Sequence, residues 1–168
     1  MIWVPELSED SMKTIFTSIL GGFLGTSKIN SDLFKIATPI IEAAVELYLQ
    51  TSKDFLPTPA KCHYTFNLRD LSKVVQGILM MPINIIEENN TVITLWLHET
   101  FRVFRDRLID PTDRSKFSKL THEKQKSWLK TEWELESYEF LLFGKFEDNS
   151  GNYKRLSEIN ALIPRLDI

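Results

Sequence analysis

Apolar residues recur along most of this chain at helical spacing. Met12, Ile15, Phe16, Ile19, Leu20, Phe23 and Leu24 fall at i, i+3, i+4, i+7, i+8, i+11 and i+12, which predicts a core-facing helix over residues 9–24. Ser8 or Asp10 can cap its start, and Gly21-Gly22 with Gly25 marks its end. Before it, Ile2-Trp3-Val4 and Pro5 read as a short extended entry, an apolar run expected at the cut end of a larger protein. A second helix is expected from a Ser31-Asp32 cap to about Phe55, with Leu33, Ile36, Ile40, Ile41, Ala44, Val45, Tyr48 and Leu49 as its apolar set. Pro39 lies inside it. Because proline has no N–H and crowds the carbonyl one turn back, a kink or a restart is expected there.

Pro57-Thr58-Pro59 stops the second helix and predicts a stiff extended connector that continues through His63–Phe66. Asn67 is a favoured N-cap, and Asp70 three residues later suits a helix N-terminus. The third helix then carries Leu71, Val74, Val75, Ile78 and Leu79 to about Met81-Pro82. After a polar turn at 84–90, a fourth helix is predicted over Thr91–Leu108. Ile93, Leu97, Phe101, Phe104 and Leu108 line one face, and His98, Glu99, Arg102, Arg105 and Asp106 lie mostly on the other. Asp110-Pro111 ends it. A lysine-rich helix follows over 115–129. Phe140–Gly144 reads as a strand, 147–152 as a turn, and 153–162 as a last helix stopped by Pro164.

Composition narrows this picture mainly by exclusion. With 168 residues, 43% hydrophobic and 26% charged, the chain has enough apolar material for a folded core. A net charge of -3 gives no general attraction for a nucleic-acid backbone. Cys62 is the only cysteine, so an internal disulfide framework and a Cys-based zinc site are excluded, and a reducing compartment fits. No run reaches the about 18 consecutive apolar residues of a membrane helix, and the N-terminus lacks the pattern of a secretory signal. Asn89-Asn90-Thr91 matches a glycosylation acceptor by chance.

Candidate chemistry is sparse. There is no Gly-x-x-x-x-Gly-Lys-[Ser/Thr] loop and no Gly-x-Gly-x-x-Gly. The cluster Gly21-Gly22-Phe23-Leu24-Gly25 ends a helix instead of opening one after a strand. His63, His98 and His122 are dispersed over different elements, so no metal site and no catalytic residue is assigned. Arg69 stands out because it lies just inside a helix N-terminus, where backbone N–H groups and the helix dipole favour an anion. A guanidinium there can reach a phosphate bidentately. The competing reading is an ion pair on a solvated face, with Asp70 or a tertiary partner.

Several stretches together resemble one family. They are Ser11–Phe16, Leu56–Lys61, Tyr64–Lys73 with Gln76-Gly77, and Leu95–Glu99 running on to Arg102-Val103-Phe104 and Asp106-Arg107-Leu108. In order and spacing they resemble dynein heavy chains, in the small lid subdomain of the third AAA+ module of the motor ring, and their wording resembles the axonemal branch. Residues after 111 match more loosely and resemble the approach to the fourth module.

The resemblance implies a mainly α fold. It would be an antiparallel helical bundle over 1–110, followed by a helical or extended connection over 111–168 that includes a short strand. It implies that Arg69 takes the sensor 2 position, approaching the phosphates of ATP or ADP held with Mg by the preceding large subdomain. The chain alone would bind no cofactor and hydrolyse no ATP. Its implied role is to couple a regulatory nucleotide site to ring movement in ciliary motility. The implied partners are the flanking AAA+ subdomains and, through the whole heavy chain, the microtubule and dynein intermediate and light chains. No nucleic acid or membrane partner is implied, and the location is the cytoplasm, cytoskeleton and axoneme of cilia and flagella. The alternative is a structural helical interaction module without nucleotide contact.

Overall fold

The computed structural model describes residues 7–27, 33–130, 142–145 and 152–156. The expected caps Ser31-Asp32, the entry at Ile2–Val4 and most of the expected final helix lie outside these residues. Helix α1 spans Glu9–Leu24, α2 Phe34–Asp54, α3 Leu68–Leu79, α4 Asn89–Val103 and α5 Pro111–Leu129. Strands β1 (Phe143–Gly144) and β2 (Lys154–Arg155) complete the described elements.

The mainly helical expectation holds, and the helices pack pairwise: α1 on α2, α2 on α5, and α3 on α4. The Ser8 hydroxyl caps α1 by accepting from the Ser11 N–H at 3.3 Å. Helix α2 runs unbroken through Pro39, so there is no restart. Neighbouring packing holds the turn that proline alone would weaken: Ala37, Ile40 and Ile41 around it are all buried.

Three local departures from the sequence reading matter. Of the seven apolar stripe residues of α1, only Met12, Phe16, Leu20 and Leu24 are buried, whereas Ile15 and Ile19 are 44% and 45% exposed. The second helix covers a narrower stripe than the apolar pattern offered. Within the connector at 57–61, Thr58 is extended. Pro59–Lys61 closes a short 3-10 turn, as expected when proline presets φ at the first helical position. Helix α4 begins earlier and ends earlier than expected. A 3-10 turn at Arg105–Arg107 replaces its last turn and redirects the Arg107 side chain toward α3.

The core joins all five helices. Trp96, Phe104, Phe117, Leu20, Ile40 and Leu71 are among its largest fully buried side chains. Rings of Phe55, Phe66, Phe104 and Phe117 contact one another at centroid distances of 5.7–6.5 Å. Phe117 brings α5 into this core. Helix α5 packs on α2 and buries Phe117, Thr121, Gln125 and Leu129.

The strand expected at 140–144 is present over Phe143–Gly144, and its partner corrects a second expectation. Lys154 and Arg155, read as the start of a helix, pair antiparallel with β1 in the register Phe143↔Arg155 and Gly144↔Lys154. Phe143 stacks on Tyr153 at 6.2 Å, and both rings are buried, so cross-strand packing outweighs the local helical pattern.

Candidate functional site

The start of α3 is built by its own first residues. Asn67 accepts from the Arg69 N–H at 2.9 Å, and Asp70 accepts from the Asn67 N–H at 3.1 Å, a reciprocal cap. This cap alters the sequence-level argument. The Arg69 and Asp70 amides are already used within the turn, since Asp70 N–H also donates to the Asn67 carbonyl at 2.9 Å. An anion there would be held chiefly by side-chain cations.

Asp70 is buried, with its side chain 5% exposed, and it does not pair with Arg69. It pairs with Arg107 at 3.0 Å and Lys73 at 3.2 Å. Burial pushes its carboxyl up, but the Asn67 N–H, Lys73 and Arg107 outweigh that and hold it below the ordinary aspartate value. The Arg69–Asp70 surface ion pair considered above is thereby corrected. A buried carboxylate takes the partners that converge on it from α3 and from beyond the end of α4. Among the described residues, the exposed Arg69 guanidinium has no hydrogen bond or ion pair.

A network behind α3 sets how Arg69 is presented. Arg107 donates to the His63 and Thr65 carbonyls, each at 3.0 Å, and lies over the Phe66 ring at 4.8 Å. The Tyr64 hydroxyl donates to Asp113 at 3.0 Å and accepts from the Ile109 N–H at 3.0 Å. Lys61 pairs with Asp113 at 2.6 Å and also with Asp110. The proline loop and the helix start it feeds are thus fastened to the α4–α5 junction.

Arg69, Lys73, Arg102 and Arg107 line one recess of about 390 Å³ with Thr65, Asn67, Asp70 and Val103. Four cations there face one lining carboxylate, so the recess suits an anion such as a phosphate group. Among the described residues, no group of three or more His, Cys, Asp or Glu side chains is placed to hold a metal ion.

Sequence reasoning found Arg69 but not the recess. Arg69 and Lys73 share a helix face at i and i+4, a signal legible in advance. Arg102 and Arg107 arrive from another element. Glu99, read as lying on a polar face, is fully buried, because α4 is covered on nearly every side. Its Oε2 accepts from Arg102 Nε at 2.9 Å and Nη2 at 2.5 Å, and its Oε1 accepts from the Tyr153 hydroxyl at 2.5 Å. Burial and this carboxylate both push the Tyr153 hydroxyl pKa up.

Comparison with known proteins decides the family. Residues 40–136 match the model of the AAA+ lid domain. The chain belongs to the AAA+ lid domain family. This lid is of dynein heavy-chain type. It is 38% identical over 166 residues to human dynein axonemal heavy chain 1, covering 93% of this chain, and 43% identical over 148 residues to human dynein axonemal heavy chain 6, covering 87%. It is 44% identical over 112 residues to mouse dynein axonemal heavy chain 12, covering 67% of this chain. The lid spans about 4% of the length of these curated relatives.

Proposed function

We propose that this lid closes over the regulatory nucleotide site of the third AAA+ module of an axonemal dynein heavy chain. Arg69 would serve there as the sensor 2 arginine. The observation that carries this reading is the Arg69 guanidinium at the first turn of α3, unpaired among the described residues and beside a cationic recess, with its neighbour Asp70 engaged by Arg107 and Lys73. A guanidinium without a partner among the described residues is available to a phosphate supplied from outside the lid. Bound ATP or ADP with Mg would supply the polyphosphate charge. The lid residues bind and orient that charge, and the rigid α3–α4 scaffold transmits the resulting shift. Phosphate contact across two subdomains converts nucleotide state into a change of angle between them, a closure type of switch.

In the whole heavy chain this movement would pass to the neighbouring AAA+ subdomains. Through them it would reach the microtubule-binding parts and the associated intermediate and light chains in the axoneme of a cilium or flagellum. The names of the axonemal relatives support that location.

The test joins the lid to the large subdomain that precedes it in its heavy chain and titrates ATP and ADP, with Arg69 intact and as Arg69→Ala. Weaker binding by the variant and a changed lid angle support the reading. Equal affinity and an unchanged lid position reject it. The 168-residue chain alone is expected to show no ATP turnover, and turnover traced to it would also reject this account.

A further inference from the structure

Arg102 belongs to the walls of two cavities. One is the cationic recess beside Arg69. The other is a largely apolar pocket of about 440 Å³ behind it, walled by Met80, His98, Phe143 and Tyr153. The Arg102 side chain is 52% exposed, while the Glu99 side chain it pairs with has no exposure. Two of the five guanidinium N–H donors are spent on Glu99 Oε2, which leaves the rest of the fork for the recess. The other Glu99 oxygen is held by Tyr153, the residue that leads into β2 and stacks on Phe143 of β1. The recess, Arg102, Glu99, Tyr153 and the β-ribbon therefore form one uninterrupted chain of contacts.

A fully buried carboxylate is costly unless charge and hydrogen bonds compensate it. We infer that Arg102 divides its guanidinium between Glu99 and a phosphate anion in the recess, and that Tyr153 takes over the compensation Glu99 then loses. Anion occupancy thereby tightens the β1–β2 ribbon against α4. The inference rests on the recess being the phosphate-facing site proposed above. It adds Arg102 as a second contact and gives the site a mechanical output at the β1–β2 ribbon. By linkage, whatever anion occupancy adds to ribbon docking through Tyr153, Tyr153 must equally add to anion affinity.

The test uses the 168-residue chain and inorganic tripolyphosphate at low ionic strength, reading affinity by calorimetry and amide hydrogen exchange at Phe143, Gly144, Lys154 and Arg155. In the parent chain, saturating tripolyphosphate is expected to slow exchange at these amides. Tyr153→Phe keeps the ring and removes the hydroxyl. It is expected to weaken tripolyphosphate about fivefold, the lower end of ordinary coupling, and to abolish the slowing. Arg102→Lys keeps the charge but loses the fork, and it should also abolish the slowing. Arg69→Ala should weaken binding yet keep the slowing at saturation. Unchanged ribbon exchange in the parent chain, or unchanged affinity in Tyr153→Phe, overturns the relay while leaving the Arg69 reading standing. A normal Tyr153 effect with unchanged affinity in Arg69→Ala does the reverse. If tripolyphosphate does not bind at millimolar concentration, the relay falls, and the Arg69 reading is decided by the titration of the joined subdomains.

Discussion

Gly77 on α3 and Glu99 on α4 occupy adjoining space: a Cβ built at Gly77 would overlap the Glu99 carboxylate. The glycine is needed for close approach of two helices, and the atoms it would strike are buried and already fixed by Arg102 and Tyr153. Gly77→Ala is therefore expected to destabilise the fold by about 1–3 kcal/mol, the usual cost of overpacking. Gly22→Ala makes the contrast. Nothing lies within 4 Å of a Cβ there, and the site is an exposed position of α1. It should gain about 0.5–1 kcal/mol from helix propensity alone. Urea denaturation of the two variants against the parent checks both signs.

Arg107 holds three groups at once: the Asp70 carboxylate and the carbonyls of His63 and Thr65. Its removal leaves Asp70 buried with Lys73 as its remaining cation. Arg107→Ala should cost about 3 kcal/mol, as when one partner of a buried pair is deleted. Arg69→Ala, from an exposed side chain without a partner among the described residues, should change stability by less than about 0.5 kcal/mol. If the two variants unfold at the same urea concentration, the network behind α3 has been misassigned.

Acid should unfold this lid through specific carboxyls. Lys61 is the main group holding the Asp113 carboxyl below its ordinary value, working against burial and with help from Tyr64. Asp70 is held low by its cap and two cations against burial. In both cases the unfolded chain takes up a proton at a pH where the folded chain does not. The stability they contribute is therefore complete above the ordinary aspartate pKa of 3.8 and is lost as the pH falls through the lower folded values. Denaturation midpoints measured from pH 7 down to pH 2.5 should fall steeply only below about pH 4. Asp113→Asn should make that fall shallower, and an unchanged profile would contradict the assignment.

The two apolar rows of α1 are not equivalent. Leu20 is fully buried, and Ile15 and Ile19 are nearly half exposed. Leu20→Ala should cost about 2–5 kcal/mol, whereas Ile15→Gln and Ile19→Gln should each stay within about 0.5 kcal/mol. Thermal or urea unfolding of the three variants distinguishes a one-row from a two-row packing face.

The helix positions, the Asn67–Asp70 cap and the candidacy of Arg69 were legible in the sequence, because each depends on neighbours within one or two turns. Apolar spacing sets a helix wherever it forms, and a cap is closed by residues three apart. Local pattern cannot report how many sides of a helix will be covered. Glu99 looked solvated and is fully buried, because α3 and the β-ribbon close over a face that α4 itself marks as polar. Lys154-Arg155 looked helical and became a strand, because a partner strand was there to pair with it. Tertiary structure alone decided that Asp70 takes Arg107 in place of its neighbour Arg69, and that Arg102 and Arg107 join Arg69 and Lys73 around one recess. Those contacts join residues far apart in the chain, and their energies come from burial and charge compensation that exist only once the helices have packed.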